Sequence, residues 1–294
     1  MLKKKSHTGQ IVLHILFILI SVLYVLPCIL MVSISLTSES ALNTGGYSLF
    51  VKEFSLDAYK LVFGNLSQVL NSYKVTIIYS TVSTFLAMIV MSMLAYPLSR
   101  KNFAYRKFIT FFVFFTMLFS GGMIPSYLLI TKYLHLDNTI WVYIIPGLVS
   151  AWNVIIIRTG FQALPDSLIE SAKLDGASEL YICFKIVIPL TKPTLAAIAF
   201  LFLVPKWNDW YTAMLYIREP KLYSLQYLLQ RILDEAEFLK SLADTGAANI
   251  DVNNFPTESF KYAMAIVAAG PVMFIFPFFQ KHFARGLTIG AVKG

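Results

Sequence analysis

The chain has 294 residues, of which 57% are hydrophobic and only 14% charged, and its mean hydropathy is +0.67. Soluble domains carry about a quarter of their residues as Asp, Glu, Lys or Arg. The composition therefore excludes an ordinary soluble enzyme and places the chain in a lipid bilayer. The net charge of +8 reads as a signal of membrane orientation, and nucleic-acid binding is not expected.

Six apolar runs are long enough to cross a membrane, because a spanning helix needs about 20 mostly apolar residues. Several runs contain proline, which the neighbouring helices of a bundle can tolerate. We therefore predict an all-α, polytopic membrane protein with six transmembrane helices, forming a single domain over residues 1–294. The predicted spans are 11–36, 71–97, 108–130, 139–160, 194–217 and 260–283.

Basic residues are shared unevenly between the two sides of the membrane. Fourteen of the 24 lysines and arginines fall on the same side as the N-terminus, where only four acidic residues oppose them. Cytoplasmic loops carry such an excess of Lys and Arg. We therefore predict that both termini are cytoplasmic, with inner segments at 98–107 and 161–193 and long outer segments at 37–70 and 218–259.

The outer segment 218–259 contains apolar residues at helical spacing, with acidic residues on the other faces. This pattern predicts an amphipathic helix. The helix either packs over its own spans or offers a docking surface to an external partner, and the pattern does not choose between the two. The apolar residues are Leu225, Leu228, Leu229, Ile232, Ala236 and Leu239.

The inner segment 161–193, which we call the elbow, is polar in an otherwise apolar chain. Asp166 or Ser167 can cap a first short helix, and Gly176 can end it in the left-handed conformation. A second short helix follows and stops at Pro189. From the residues alone, the elbow is either an amphipathic connector in the headgroup layer or a rigid bracket presented to the cytoplasm.

The spacing within the elbow is specific. Glu170-Ser-Ala is followed by three residues, then Gly176, then nine residues, then Ile-Val-Ile-Pro ending at Pro189. This resembles the EAA loop of ABC importer permeases, whose pattern is EAA, three residues, Gly, nine residues and I-x-L-P. Ser171 replaces the second alanine and Ile188 replaces the leucine, and both are mild departures.

The resemblance extends over essentially the whole chain. AYPLSR at 95–100 and GLTIGAVKG at 286–294 are similar to the carbohydrate-uptake, maltose-importer (MalG-like) branch of these permeases. SGGMIP at 120–125 and the long outer segment are closer to the LplC/YtcP-type oligosaccharide permeases. The resemblance implies a type I ABC importer permease fold and import of oligosaccharides by alternating access.

The resemblance also implies how the elbow works. Its first helix would insert into a groove on a cytoplasmic ATPase, where Glu170 pairs with a basic residue and Ala172 is small enough to lie against the partner. The C-terminal tail would reach the ATPase as well, the alternative being a disordered end. The implied coupling residues are Glu170, Ser171, Ala172, Asp175, Gly176, Ile186 and Pro189, and the implied tail residues are Thr288, Gly290, Lys293 and Gly294.

The energy source must be another chain, because the sequence contains no G-x-x-x-x-G-K-[ST] loop to cradle ATP phosphates. No cofactor is expected here, and ATP and Mg belong to the partner ATPase. The resemblance implies a sister permease (a heterodimer), a homodimeric cytoplasmic ATPase, an extracytoplasmic sugar-binding protein and an oligosaccharide substrate. The expected location is the bacterial inner (plasma) membrane, surrounded by lipid.

The fifth predicted span contains a candidate substrate pathway. Lys206 and Asp209 are costly in an apolar run unless they face the bundle interior or a wet cavity. Aromatic and amide side chains beside them suit a sugar ring, although an aromatic belt at the membrane interface is the alternative. Trp207 and Trp210 are three apart, so they are expected to share a helix face. The pathway candidates are Trp207, Asn208, Asp209, Trp210 and Tyr211.

Two other functions have less support in the sequence. An ion-coupled secondary carrier would need several buried ionisable groups, and the mid-span regions offer almost none beyond Lys206 and Asp209. A membrane-embedded glycan-processing enzyme would need a carboxylate or histidine constellation, and neither H-E-x-x-H nor G-x-S-x-G occurs. We therefore expect neither a catalytic nor a metal site.

Overall fold

A computed structural model describes residues 7–244 and 256–286 of the chain. This part is helical, with a single isolated β-bridge between Thr37 and Phe54. The helices of the first half are α1 (His7–Ser35), α2 (Glu39–Gly45), α3 (Asp57–Val62), α4 (Leu66–Ser99), α5 (Arg106–Leu118), α6 (Met123–Leu128), α7 (Trp141–Ile144) and α8 (Ala151–Gln162). Those of the second half are α9 (Asp166–Leu174), α10 (Glu179–Tyr181), α11 (Ile188–Leu190), α12 (Lys192–Trp207), α13 (Tyr211–Tyr216), α14 (Leu225–Asp244) and α15 (Glu258–Gly286).

The chain divides into two compact units. The first comprises Met1–Val69 with Leu229–Gly270, and the second comprises Leu70–Leu228 with Pro271–Gly294. In the first unit the buried carboxylate of Glu39 accepts the backbone N–H groups of Glu258 and Ser259 at 2.8 and 3.1 Å. These N–H groups open α15 and have no partner inside the helix, so Glu39 fixes the start of the last long helix.

Three helical stretches of the described residues are long and apolar enough to cross a membrane: Gly9–Ser35, Leu66–Ser99 and Glu258–Gln280. Two bent pairs pass the same test when each is taken as one span. Arg106–Leu118 with Met123–Tyr133 bends by 112°, and Glu179–Leu190 with Lys192–Trp207 bends by 83°. The structure therefore gives three to five spans, and the sixth stays a prediction.

The predicted span 139–160 is broken in the structure. It consists of the short α7 and of α8, separated by a turn at Pro146 and Gly147. Gly147 has φ +85°, a left-handed conformation that costs glycine little, and Pro146 has no N–H to continue a helix. The break leaves backbone carbonyls without helical partners, and the ammonium of Lys206 donates to two of them.

The core of the second unit lies where α4, α8, the elbow and α12 meet. Small or unbranched residues of α4, Ala87, Met91 and Ala95, are fully buried there. Small residues let neighbouring helices approach closely inside a membrane. Ile157 and Phe161 of α8 fill the space opposite and are also fully buried.

The amphipathic helix predicted in the outer segment is confirmed as α14, Leu225–Asp244. Leu225, Leu229 and Ala236 are buried, as the spacing requires, whereas Leu239 is 39% exposed and Phe238 is 62% exposed. At its start, the backbone N–H of Leu225 donates to Thr76 Oγ1 at 2.8 Å. A large aromatic side chain is therefore left on the exposed face of the last turns.

Candidate functional site

The first helix of the elbow, α9, begins directly after Pro165. The predicted side-chain cap by Asp166 or Ser167 is wrong, because Pro165 occupies the capping position and no side chain caps the helix. Asp166 is the first helical residue, and its carboxylate accepts from Lys101 at 3.1 Å. A negative charge in the first turn is stabilised by the helix dipole.

The end of α9 is formed as predicted by Gly176, whose φ is +79°. The backbone N–H of Gly176 donates to Lys173 O, and that of Ala177 donates to Ala172 O, both at 3.0 Å. These bonds satisfy carbonyls that the last turn leaves open. Ser178 then starts the next helix, its hydroxyl oxygen accepting the N–H of Tyr181 at 3.3 Å.

Opposite faces of α9 differ sharply in burial. Ile169 and Ala172, three residues apart, are 5% and 9% exposed and pack into the core, whereas Leu174 is 90% exposed. Glu170 and Ser171 lie on the exposed side. The expectation for Ala172 therefore changes: its small side chain lets α9 approach its own subunit, because it shares a face with Ile169.

The carboxylate of Glu170 has no partner among the described residues. No hydrogen bond or ion pair within the described ranges 7–244 and 256–286 involves it. Its neighbours are paired, since Asp166 contacts Lys101 and Glu179 contacts Lys173 at 2.5 Å. An exposed carboxylate without a partner on a held helix can form an ion pair with another chain.

The elbow is bonded to the C-terminal end of α4. The hydroxyl of Tyr96 donates to Glu179 Oε2 at 2.6 Å, and Nη2 of Arg100 donates to the Phe161 carbonyl at 2.9 Å. The Arg100 guanidinium also lies 5.6 Å from the centre of the Tyr96 ring, within cation–π distance. The elbow and the long helix α4 are thus joined by direct side-chain contacts.

The remaining predicted coupling residues follow along the elbow. Asp175 is exposed, and Ile186 and Pro189 are half-buried. Pro189 lies in α11, just before the 83° bend into α12, where the Thr191 hydroxyl donates to Val187 O at 2.8 Å. The predicted tail residues Thr288, Gly290, Lys293 and Gly294 lie outside the described residues.

The candidate substrate pathway does not form one helix face. Helix α12 ends at Trp207 and α13 begins at Tyr211, so the predicted shared face of Trp207 and Trp210 is wrong. Trp207 is 2% exposed, whereas Trp210 and Tyr211 are 43% and 44% exposed. Trp207 is therefore covered by its own chain, and Trp210 and Tyr211 are accessible to a ligand.

The two charged residues of the candidate pathway region, Lys206 and Asp209, both form hydrogen bonds within the chain. The carboxylate of Asp209 accepts the N–H of Thr212 at 2.9 Å and its hydroxyl at 2.6 Å, which satisfies an N–H group in the first turn of α13. The Lys206 ammonium donates to Tyr143 O at 2.8 Å and to Pro146 O at 3.4 Å. Both residues thus position the backbone around the pathway.

Two buried tyrosines that sequence reasoning missed complete this arrangement. Tyr79 and Tyr143 are fully buried and stack with ring centres 4.3 Å apart. The Tyr79 hydroxyl donates to Lys206 O at 2.8 Å, and that of Tyr143 donates to Leu222 O at 2.8 Å. We call Tyr79, Tyr143 and Lys206 the polar knot, since they join α4, α7 and α12.

The accessible part of the candidate pathway is the loop after α12 together with the first residue of α13, called here the 208–211 loop. Asn208 is exposed, and its side-chain oxygen accepts from Gln226 Nε2 at 3.0 Å. Trp210 and Tyr211 meet edge to face with ring centres 6.0 Å apart. Flat aromatic faces beside an amide can bind a polar, ring-shaped ligand. In the described part of the chain, no group of three or more His, Cys, Asp or Glu residues is suited to hold a metal ion.

The described part of the chain is thus a helical membrane protein with three to five possible spans, and comparison with known proteins identifies its class. Residues 6–289 match the family described as "Binding-protein-dependent transport system inner membrane component". Because the match covers nearly the whole chain, the chain belongs to this family. It is a multi-pass permease subunit of an ABC importer and not an enzyme.

Similar proteins agree with this assignment. The chain is 38% identical to "Protein LplC" of Bacillus subtilis (strain 168) over 270 residues, covering 92% of this chain and 90% of the relative. It is 35% identical to "Polygalacturonan/rhamnogalacturonan transport system permease protein YtcP" of the same organism, covering 99% and 100% of the two chains.

A solved structure has the same fold. It is the crystal structure of a bacterial ABC transporter involved in the import of the acidic polysaccharide alginate. The TM-score is 0.78 at 28% identity, and the match covers 96% of this chain and 99% of the other. Importers of this kind combine a partner permease, a separate ATPase and a substrate-binding protein.

Proposed function

We propose that this chain carries oligosaccharides across the inner membrane, as one half of a heterodimer with a sister permease above a homodimeric ATPase. An extracytoplasmic sugar-binding protein delivers the substrate. The substrates named for similar proteins support this substrate class, since one is a transport-system permease for polygalacturonan or rhamnogalacturonan and another takes part in the import of alginate. The six apolar runs support six spans in a single transmembrane domain, and the distribution of basic residues supports cytoplasmic termini.

The observation that carries the proposal is the free carboxylate of Glu170 on a helix held to the body of the protein. Glu170 pairs with a basic residue in a groove of the ATPase. Because Lys173, Glu179 and Tyr96 fasten the elbow, closure of the ATPase dimer moves α4 together with α9 as a rigid body. Asp175 and Ser171 lie beside Glu170 on the exposed surface that the ATPase covers.

The substrate contacts the 208–211 loop. Trp210 and Tyr211 stack on sugar rings, and Asn208 bonds to hydroxyl groups. Trp207 and Asp209 hold this loop in place. Trp207 packs in the core, and the Asp209 carboxylate accepts a backbone N–H in the first turn of α13. Binding sites for small molecules commonly combine apolar aromatic walls with a few such polar groups.

No step of ATP hydrolysis is assigned to this chain, and it holds no cofactor. ATP and Mg are bound by the ATPase, and the energy of hydrolysis reaches this subunit through the elbow. The C-terminal residues Thr288, Gly290, Lys293 and Gly294 form a second contact with the ATPase. A sister permease supplies the other elbow, because a dimeric ATPase has two equivalent grooves.

Reversal of the Glu170 charge tests the coupling role. In Glu170→Lys the ion pair becomes a repulsion, so uptake is lost while the chain remains folded in the membrane. Asp234→Lys, the same change on an exposed carboxylate of α14, is the matched control and transports normally. Substrate-stimulated ATP hydrolysis at the wild-type rate in the Glu170→Lys complex would contradict the proposal.

A further inference from the structure

A large basic cavity shares no lining residue with the 208–211 loop, and Lys101 joins it to the first residue of α9. Its volume is about 960 Å³, and it opens between the loop before α5, the first turns of α5 and the last turns of α8. Four cationic side chains line it, and none of its described lining residues is acidic. The four are Lys101, Arg106, Lys107 and Arg158.

Three of these cations have no ion-pair partner in the described ranges. Lys101 is paired with Asp166, but no carboxylate lies within 4.0 Å of Arg106, Lys107 or Arg158. Arg158 donates from Nη1 to Thr110 Oγ1 at 3.4 Å, while its Nε is buried and has no partner there. Arg106 and Arg158 also repel each other, so an anion between them would lower the electrostatic energy.

The cavity continues from this basic rim along an apolar wall. Lys107, Thr110, Phe111 and Phe114 follow at positions i, i+3, i+4 and i+7 of α5 and share one helix face. Phe111 and Phe114 are 64% and 48% exposed. The lining thus changes within two helical turns from cations to aromatic rings that lie in a predicted span.

We propose that this cavity binds the headgroup of an anionic phospholipid, with the phosphate among Arg106, Lys107 and Arg158 and an acyl chain along Phe111 and Phe114. Basic pockets between transmembrane helices on the cytoplasmic side bind anionic headgroups. In the proposed orientation these cations lie at that surface. A soluble acidic partner could satisfy the cations but not the apolar wall, which favours lipid.

Phosphatidylglycerol is a suitable probe for the complete importer complex in neutral detergent. Native mass spectrometry would measure its retention, with phosphatidylcholine as the uncharged comparison. We expect tight binding of phosphatidylglycerol alone, and a loss of about fivefold in affinity for each cation removed. The variant Arg106→Gln/Arg158→Gln should therefore bind about 25-fold more weakly.

Two further variants keep the test independent of folding and of general surface charge. Lys107→Gln changes an exposed side chain and should weaken binding about fivefold. Lys185→Gln/Lys192→Gln removes two exposed cations from the elbow, outside the cavity lining, and should retain wild-type affinity.

Three results would overturn the proposal. The first is equal phosphatidylglycerol binding in wild type and both cavity variants. The second is equally effective displacement by glycerol 3-phosphate, which would indicate a site for a free phosphoester. The third is binding only after removal of the ATPase, which would assign the cavity to an acidic surface of that partner. None of these results depends on transport, so the proposed function is tested separately.

Discussion

The substitution Lys206→Met separates a structural role of the polar knot from a role in substrate binding. Methionine has a similar length but cannot donate to the carbonyls of Tyr143 and Pro146. A buried carbonyl left unsatisfied costs about 1–3 kcal/mol, and the longer bond to Pro146 at 3.4 Å adds less. The variant no longer buries an ammonium, which offsets part of this loss, so we expect a net destabilisation of about 2 kcal/mol.

Thermal unfolding of the purified complex in detergent measures this loss. For a chain of this size, 2 kcal/mol corresponds to a fall in melting temperature of about 3 °C. Lys132→Met, on an exposed lysine, is the control and should melt within about 1 °C of the wild type. An unchanged melting temperature together with lost uptake would refute the structural role and place Lys206 in the substrate pathway.

Three further sets of substitutions test other parts of the structure. Trp207→Ala should lower the free energy of unfolding by about 3–5 kcal/mol, because it empties a buried site. Trp210→Ala should leave the melting temperature unchanged and raise KM for uptake. Normal uptake by Trp210→Ala would favour the aromatic-belt interpretation. Gly176→Val should lower the free energy of unfolding by about 1–2 kcal/mol through backbone strain alone, since a Cβ there meets no atom within 4 Å. This variant should also weaken ATPase binding in pull-down assays, whereas Gly176→Asn should retain most of that binding. Binding by the valine variant equal to that of the wild type would contradict the need for a left-handed residue. Tyr96→Phe should cost about 1.5–3 kcal/mol by removing the donor to Glu179, measured as chemical unfolding of the complex, and an unchanged midpoint would show that this bond does not fasten the elbow.

Features that depend on local chemistry were predictable from the sequence. Gly176 ends α9 with a positive φ because few other residues adopt that conformation at low cost. Ser178 starts the next helix for the equally local reason that its hydroxyl accepts a backbone N–H. The helix α14 follows from the spacing of its leucines.

Features that depend on tertiary contacts were not predictable in the same way. Tyr143 is fully buried against Tyr79, and this burial depends on a contact with α4 that no residue near position 143 indicates. Nothing local indicates that Lys206 satisfies carbonyls about 60 residues away. A lysine within an apolar run indicates that its ammonium faces the bundle interior or a wet cavity. It does not indicate which carbonyl groups accept its hydrogen bonds.

The side of α9 that faces the protein also depends on tertiary packing. Ala172 belongs to the motif and is small, which suits a contact with a partner as well as a contact with its own subunit. The choice is made by Ile169, whose burial turns Ala172 inward and leaves Glu170 outside. A helical period alone does not say which face is covered by another chain.

Purification of the tagged chain from its native membrane in mild detergent tests the central claim most directly. The proposed function predicts that an ATPase with a phosphate-binding G-x-x-x-x-G-K-[ST] loop and one sister permease are recovered with it, and that Glu170→Lys retains the permease while losing the ATPase. Recovery of the wild-type chain alone or as a homo-oligomer, under conditions that preserve other membrane complexes, would contradict the claim.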